Sequence, residues 1–104
     1  MQIYRVVGLM SGTSMDGIDV AVCRVAAGEP RLLELLGART EPWPPEIAQR
    51  LRRAQRADAL ELARLGRLVG ETFAAAAAAL AAELGVELDL AGSHGQTIAH
   101  EHGV

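Results

Sequence analysis

The sequence has 104 residues, of which 50% are hydrophobic, 22% are charged and 3% are aromatic, and its formal net charge is −3. All ten basic residues are arginine. Without a lysine, these residues cannot supply a P-loop lysine, a protein-kinase strand lysine or a Schiff base. Cys23 is the only cysteine, which excludes an internal disulfide and a cysteine-rich zinc site.

Charge and hydropathy also limit the binding partners and the cellular compartment that we expect for this protein. A mildly acidic chain gives no reason to expect nucleic acid as a partner. The first residues, MQIYRVVGLMSG, lack the long apolar segment of a secretory signal. The longest apolar run, residues 73–82, is shorter than the ~20 residues that span a bilayer. We therefore expect a cytoplasmic protein that binds no membrane.

The first forty residues predict three strands with short connections. Residues 2–10 are rich in β-branched and apolar types, and residues 18–26 alternate in polarity as strands do. Between them, residues 11–17 (SGTSMDG) form a dense cluster of turn formers. A turn at 27–30 leads to a third strand over 31–39. Short connections favour antiparallel pairing, so we expect a three-stranded meander.

The middle of the chain predicts two helices. Pro44 and Pro45 mark the start of the first, because proline is tolerated where the first helical N–H groups lack partners. Asp58 is a candidate N-cap for the second, with Glu61 three residues later, and Gly85 is a candidate C-cap. The apolar stripe of this long helix consists of Leu62, Leu65, Val69, Phe73, Ala76, Leu80 and Leu84.

Two glycines and a fourth strand complete the predicted fold. Gly66 and Gly70, inside the long helix, would let the backbone of the sheet or of a partner helix approach closely. Residues 86–92 predict a strand after a helical crossover, which allows parallel pairing. SHGQT (93–97) then lies at that strand's carboxyl end, where α/β sheets usually bind ligands. Helices mainly on one side leave sheet surface uncovered, so we expect part of a longer domain.

The hairpin turn between the first two strands is the first candidate site. Its glycine lets the backbone approach a ligand, and successive amides form an anion-binding concavity. Hydroxyls of Ser11, Thr13 and Ser14 add donors, so the turn is suited to bind phosphate without a lysine. Asp16 could orient a metal-bound water, and Asp19 could organise the turn. The alternative is an ordinary Ser/Gly-rich turn with an exposed aspartate.

The polar segment after the fourth predicted strand is the second candidate site. Its members are Ser93, His94, Gly95, Gln96 and Thr97. They offer donors and acceptors suited to sugar hydroxyls, and His94 could act as a general acid or base. The alternative is a polar strand-end turn with a satisfied histidine. A metal site with His100 and His102 is disfavoured, since an H-x-H pair in a strand points to opposite faces, and we assign no metal ligand.

The remaining polar and aromatic residues have structural explanations. A basic patch near the first helix contains Arg50, Arg52, Arg53 and Arg56. Without interleaved aromatic residues it predicts a solvated helix face rather than a nucleic-acid contact. Trp43 predicts a packing anchor at the helix entry, and Cys23 a small core residue. The segment around Ser14 is similar to the nucleophile segment of subtilisin-like proteases, but no Asp or His precedes it, which leaves a serine hydrolase as a minor alternative.

Three segments share a pattern with one enzyme family. They are GLMSGTSMDGIDVAV near the N-terminus, LGRLVGETFAAA in the long helix and SHGQTIAH near the C-terminus. Together they resemble the anhydro-N-acetylmuramic acid kinases, and the resemblance covers essentially the whole chain. It implies an α/β fold that is part of an actin-like ATPase (ribonuclease H-like) domain. Residues 1–104 would be the N-terminal portion of its first lobe, with the second lobe absent.

The resemblance also implies a reaction and its ligands. The family uses ATP and Mg²⁺ to convert 1,6-anhydro-N-acetylmuramic acid and water to N-acetylmuramic acid 6-phosphate in peptidoglycan recycling. It implies that ATP binds Gly12, Thr13, Ser14, Met15, Asp16, Gly17, Ile18 and Asp19. The anhydrosugar would bind the SHGQT segment, residues 93–97. A homodimer of the full-length protein is compatible with this picture.

Two departures from the wider pattern limit what these residues can do. Where the superfamily has an Asp two residues before Gly-Thr, this chain has Met10, so the metal contact must be arranged differently. The family's general base lies in a D-T-G-P-G-N segment, which does not occur here, and family members are several times longer. We therefore expect the base beyond Val104 and no activity from residues 1–104 alone. The alternative function is a non-catalytic nucleotide- or sugar-binding module.

Overall fold

A computed structural model describes residues 2–11, 17–28 and 31–96, without the side chains of Leu32 and of residues 94–96. The elements in chain order are β1 (Ile3–Ser11), β2 (Ile18–Ala26), β3 (Arg31–Glu41), α1 (Pro45–Arg52), a 3-10 turn (Ala54–Arg56), α2 (Ala59–Leu84) and β4 (Leu90–Gln96). They form a four-stranded sheet in the order β3-β2-β1-β4. β1, β2 and β3 pair antiparallel, whereas β4 is parallel to β1. The predicted α/β class, with a meander, a long helix and a parallel strand, is confirmed.

The β1–β2 hairpin follows from its polarity pattern. Buried and exposed residues alternate along β1 and along the first half of β2, because successive side chains of a strand point to opposite faces. Val7 pairs with Val22 and Leu9 with Val20, so apolar side chains lie directly opposite each other. These four side chains are 7% exposed or less and form the face on which the helices pack.

Two bulges in β3 change its register against β2. Ala26 pairs with Arg31, but Asp19 pairs with Thr40, so β3 contributes two more residues than β2 over this stretch. Bulges bend a strand and increase its twist. β3 therefore extends to Glu41, two residues beyond the predicted end at residue 39.

A hydrophobic core lies between the helices and one face of the sheet. The α2 residues buried in it include Leu65, Val69, Phe73, Ala76 and Leu80. Full burial of a large apolar side chain contributes about 1.5–3 kcal/mol, so this stripe accounts for much of the helix–sheet stability. Leu62 does not follow the prediction, since it is 39% exposed. It lies in the first turn of α2, which an ion pair connects to α1.

Both ends of α2 lie where the sequence predicts them. The Asp58 carboxylate accepts a hydrogen bond from the Glu61 backbone N–H at 2.8 Å, and Gly85 adopts a left-handed φ of 69°. By length and composition alone, α2 is apolar enough to cross a membrane, with a hydropathy of 1.3. Core helices of folded domains pass the same test, and α2 buries one side against the sheet.

The two glycines inside α2 do not bring the sheet close. Gly66 and Gly70 are both exposed, and no neighbouring atom lies within 4 Å of a Cβ built at either position. The two glycines lie outside the buried stripe of α2, so the prediction that the sheet backbone approaches them is wrong. Close approach of a partner helix stays a prediction.

The fourth strand begins at Leu90, not at residue 86 as the sequence predicts. Asp89 explains the late start, because its carboxylate accepts from the Arg5 backbone N–H at 2.7 Å while its own N–H donates to the Arg5 carbonyl at 2.8 Å. A side chain thus replaces one rung of the ladder just before pairing begins. Val86 and Leu88 pack on the edge of the core instead.

Arg50 and Glu61 connect α1 to the first turn of α2. Arg50 donates from Nε to Glu61 Oε2 at 2.8 Å and from Nη2 to Oε1 at 2.6 Å. This bidentate hydrogen bond is the main reason that the pKa of Glu61 is lowered from its ordinary 4.5, with the charges of Arg50 and Arg64 adding to the effect. The pair therefore stabilises the fold while Glu61 is ionised.

Replacing Glu61 by glutamine is expected to lower the melting temperature at pH 7. Because the folded-state pKa of Glu61 is depressed, its contribution is present above the unfolded-state value and lost as the pH falls below 4.5. The difference between wild type and E61Q should therefore shrink in a series of thermal melts from pH 7 to pH 3. Glu71→Gln, which breaks the exposed Arg67–Glu71 pair, is the control and should have a smaller effect. A pH-independent difference would contradict this explanation.

Candidate functional site

The described residues that border or belong to the two candidate segments lie at one end of the sheet, the shared edge. β1 ends at Ser11, immediately before residues 12–16, and β4 runs parallel to β1. Ser11 is in register with Gln96, so the carboxyl ends of the two parallel strands are adjacent. Ligands of α/β sheets usually bind outside such carboxyl ends.

β4 is irregular where the second segment passes β1. Leu9 pairs with Ser93, whereas Ser11 pairs with Gln96, so three steps along β4 match two along β1. Irregularities of this kind re-aim a strand and are common next to functional sites. Ser93 and residues 94–96 therefore lie inside β4, and the prediction that they follow the strand is wrong. β4 both begins and ends four residues later than predicted, because its pairing with β1 runs from Leu90 to Gln96.

Ser11 has a different role from the one predicted. Its side chain is fully buried, at 0% exposure. Its hydroxyl donates to the Gly17 carbonyl at 2.9 Å and accepts from Nε1 of Trp43 at 3.2 Å. A hydroxyl has one proton to donate, so the Ser11 side chain is not a phosphate ligand. It instead connects the two residues that flank segment 12–16.

Gly17 packs tightly against the end of β3. A Cβ built at Gly17 would lie 2.9 Å from the Glu41 carbonyl oxygen and 3.0 Å from Cγ2 of Thr40. Only glycine allows this approach without moving the backbone. The next residue, Ile18, is 1% exposed and belongs to the core, so its side chain is not available to a ligand.

Asp19 lies on the opposite face of the sheet from the helices. Its side chain is exposed, and Oδ1 accepts a hydrogen bond from the Thr40 hydroxyl at 2.5 Å. Beside this pair, a row of small residues crosses all four strands, with consecutive members in register: Ala38, Ala21, Gly8 and Gly92. The row forms the floor of a cavity of about 630 Å³, which Asp19, Thr40 and Ser93 also line.

The described residues include only part of each predicted ligand set. Gly12, Thr13, Ser14, Met15, Asp16 and Thr97 lie outside them, as do the side chains of His94 and Gln96. Gly17, Asp19 and Ser93 lie at or near the shared edge. No group of three or more His, Cys, Asp or Glu that could hold a metal occurs within the described ranges. The assignments of ATP and sugar contacts stay predictions.

A sequence model of one family matches residues 4–104, which is nearly all of the chain. That model is described as anhydro-N-acetylmuramic acid kinase. The chain belongs to the anhydro-N-acetylmuramic acid kinase family. The resemblance inferred from the three sequence segments is thereby confirmed.

Several curated proteins of this family are similar to the chain. The anhydro-N-acetylmuramic acid kinase of Xanthomonas campestris pv. campestris (strain 8004) is 46% identical over 100 residues, covering 89% of this chain and 26% of that protein. Those of Xylella fastidiosa and Acaryochloris marina are 43% and 38% identical, covering 92% of this chain and 27% and 26% of their own lengths. The chain thus spans about a quarter of the anhydro-N-acetylmuramic acid kinases that it matches.

A solved structure of another family is also similar in part. It is the crystal structure of the Ppx/GppA family member from Aquifex aeolicus, with 12% sequence identity and a TM-score of 0.36 over 88% of this chain and 26% of that chain.

Two residues of this anhydro-N-acetylmuramic acid kinase segment were not predicted to contribute to the site. The first is Thr40, whose hydroxyl binds Asp19. A regular hairpin extended from the Ala26–Arg31 pair would place Ala38 opposite Asp19. The two bulges of β3 shift the register by two residues and place Thr40 there instead. Trp43 is the packing anchor that the sequence predicts, and its indole N–H also bonds Ser11. The sequence feature that could have indicated this role is the position of Trp43 among prolines, which suggests that the site requires this side chain.

Replacing Gly17 by alanine is expected to destabilise the fold by about 1–3 kcal/mol, because the added Cβ must displace the Glu41 backbone. Gly8→Ala is the matched control. It adds the same atom to a neighbouring strand where nothing lies within 4 Å, and should change stability by no more than about 0.5 kcal/mol. Urea denaturation followed by circular dichroism measures both. Equal midpoints for the two variants would contradict the close packing of Gly17.

Proposed function

We propose that the natural protein carrying this sequence is an ATP-dependent kinase. It converts 1,6-anhydro-N-acetylmuramic acid and water to N-acetylmuramic acid 6-phosphate, in the cytoplasm, during peptidoglycan recycling. The proposal is supported by two observations: the chain belongs to this family, and the carboxyl ends of β1, which precedes the first motif segment, and of β4, which carries most of the second, are adjacent. In this proposal one segment contacts ATP and the other contacts the sugar, side by side.

On the nucleotide side, Gly12 to Asp19 bind the ATP phosphates. This segment has no lysine, so its backbone amides and the hydroxyls of Thr13 and Ser14 bind the phosphate oxygens instead. The burial of the Ser11 and Ile18 side chains limits their contribution to the main chain and to support of the segment. Asp19, which is exposed beside the cavity, is the acidic group nearest to this edge among the described residues of β1 and β2.

Magnesium is part of the same proposal. Mg²⁺ is typically held by one or two carboxylates together with waters and substrate phosphates. The exposed carboxylate of Asp19 is a donor of the right kind, and its hydrogen bond from Thr40 orients it. Asp16 and Asp19 are therefore the residues that would hold the ion, directly or through water. Bound there, Mg²⁺ would supply charge neutralisation of the phosphates.

On the sugar side, Ser93, His94, Gly95, Gln96 and Thr97 contact the anhydrosugar. β4 carries most of this segment next to Ser11, so a sugar bound here lies within reach of a phosphate bound at residues 12–16. In the reaction, water adds to C1, the C1–O6 bond breaks, and O6 takes the γ-phosphoryl group from ATP while ADP leaves. A general base outside residues 1–104 accepts the proton from water.

The chain is, on this proposal, the N-terminal portion of the first lobe of an actin-like ATPase domain. The chain covers about a quarter of each relative, which agrees with a longer protein whose remaining residues supply the general base and the second lobe. Residues 1–104 alone should then be inactive. A homodimer of the full-length protein belongs to the same proposal, with neither nucleic acid nor membrane as a partner.

A direct assay tests the proposal. The natural gene product that carries this sequence, given ATP, magnesium and 1,6-anhydro-N-acetylmuramic acid, should release ADP and N-acetylmuramic acid 6-phosphate in equal amounts. A coupled ADP assay and mass spectrometry of the sugar measure the two products. Omission of magnesium should abolish turnover, and residues 1–104 alone serve as the inactive control.

Two results would contradict the proposal, the first its kinase activity and the second its substrate. Binding of ADP by calorimetry without any turnover of ATP and anhydrosugar would favour a non-catalytic nucleotide-binding module. Phosphorylation of other sugars, but not of the anhydrosugar, would keep a kinase and reject the proposed substrate.

A further inference from the structure

Ser11 is hydrogen-bonded to Gly17, and these two residues flank segment 12–16. Its Oγ donates to the carbonyl of Gly17 at 2.9 Å and accepts from Nε1 of Trp43 at 3.2 Å. Since Ser11 is 0% exposed, water does not compete for either hydrogen bond. The residue before the segment is therefore tied to the residue after it by a side chain that has no proton left for a ligand.

Trp43 is in turn held by the core. It is 5% exposed and stacks on Phe73 of α2, with ring centroids 5.6 Å apart and planes 27° apart. Pro42 and Pro44 flank it and restrict the backbone on both sides. The indole N–H is thus presented to Ser11 by a rigid support that reaches from α2 to the end of β1.

We propose that Ser11 and Trp43 are positioning residues for the phosphate-binding segment. Neither contacts the ligand; together they fix the position of Ser11 relative to Gly17, the two residues between which the proposed ATP-binding segment 12–16 lies. The inference rests on the proposed function of that segment. Losing either hydrogen bond should impair the use of ATP much more than the binding of the sugar, whose proposed contacts come from β4.

Two variants of the natural gene product test this role. Ser11→Ala removes both hydrogen bonds, and Trp43→Phe removes the indole donor while keeping a ring against Phe73. A misplaced group in a phosphoryl-transfer site costs on the order of 10–100-fold, so kcat/KM for ATP should fall by about that factor in each variant. The KM for the anhydrosugar should change by less than about twofold. Calorimetry with ADP and magnesium should show weaker binding in both variants.

The double variant distinguishes positioning from general damage. Because Trp43 acts on the segment through Ser11, adding Trp43→Phe to Ser11→Ala should lower kcat/KM for ATP no further. Leu80→Val is the matched control, since it trims the buried stripe of α2 without touching either hydrogen bond. A change that only destabilises the fold should reduce the active fraction, lowering apparent kcat with both KM values unchanged.

The possible failures are distinguishable. If both single variants keep the wild-type kcat/KM for ATP, or lose only apparent kcat as Leu80→Val would, the positioning role is wrong. Independent, additive losses in the double variant would also overturn it. If the wild-type protein itself makes no ADP from ATP and anhydrosugar, the proposed function has failed, and the inference fails with it.

Discussion

The packing of α2 on one face of the sheet is the interaction on which the rest of this structure depends. Leu65, Val69 and Phe73 bury that face, and the same Phe73 stacks on Trp43. Trp43 bonds Ser11, which bonds Gly17, so the core is connected to both residues that flank the candidate phosphate segment. The two residues that flank this segment are therefore held by the close-packed interior.

The other face of the sheet has the opposite character. Its central row consists of alanine and glycine, and large apolar side chains such as Leu35 and Leu90 are more than half exposed there. The described residues leave this face open, and Asp19 lies beside it near the shared edge. The sheet thus has one side buried by the helices and one open side, which carries Asp19 and the cavity.

Much of the fold could be predicted because its signals are local. Alternating polarity identified β2 to the residue, and Asp58 and Gly85 identified both ends of α2. The predicted strand bounds are wrong where a residue distant in the sequence determines the pairing. Asp89 delays β4 by bonding Arg5, which is far away in the chain, and the two bulges of β3 show only in its pairing with β2.

The sequence by itself determined the order of the elements, the two motif segments and the family, since each depends on residue types at short spacing. Only the tertiary structure decided that Ser11 is a buried connector, that Gly17 lies against Glu41, and that Ser93 is part of a strand beside β1. The reason is physical. The role of a hydroxyl or of a missing Cβ depends on the atoms opposite it, and these come from residues brought close by the fold.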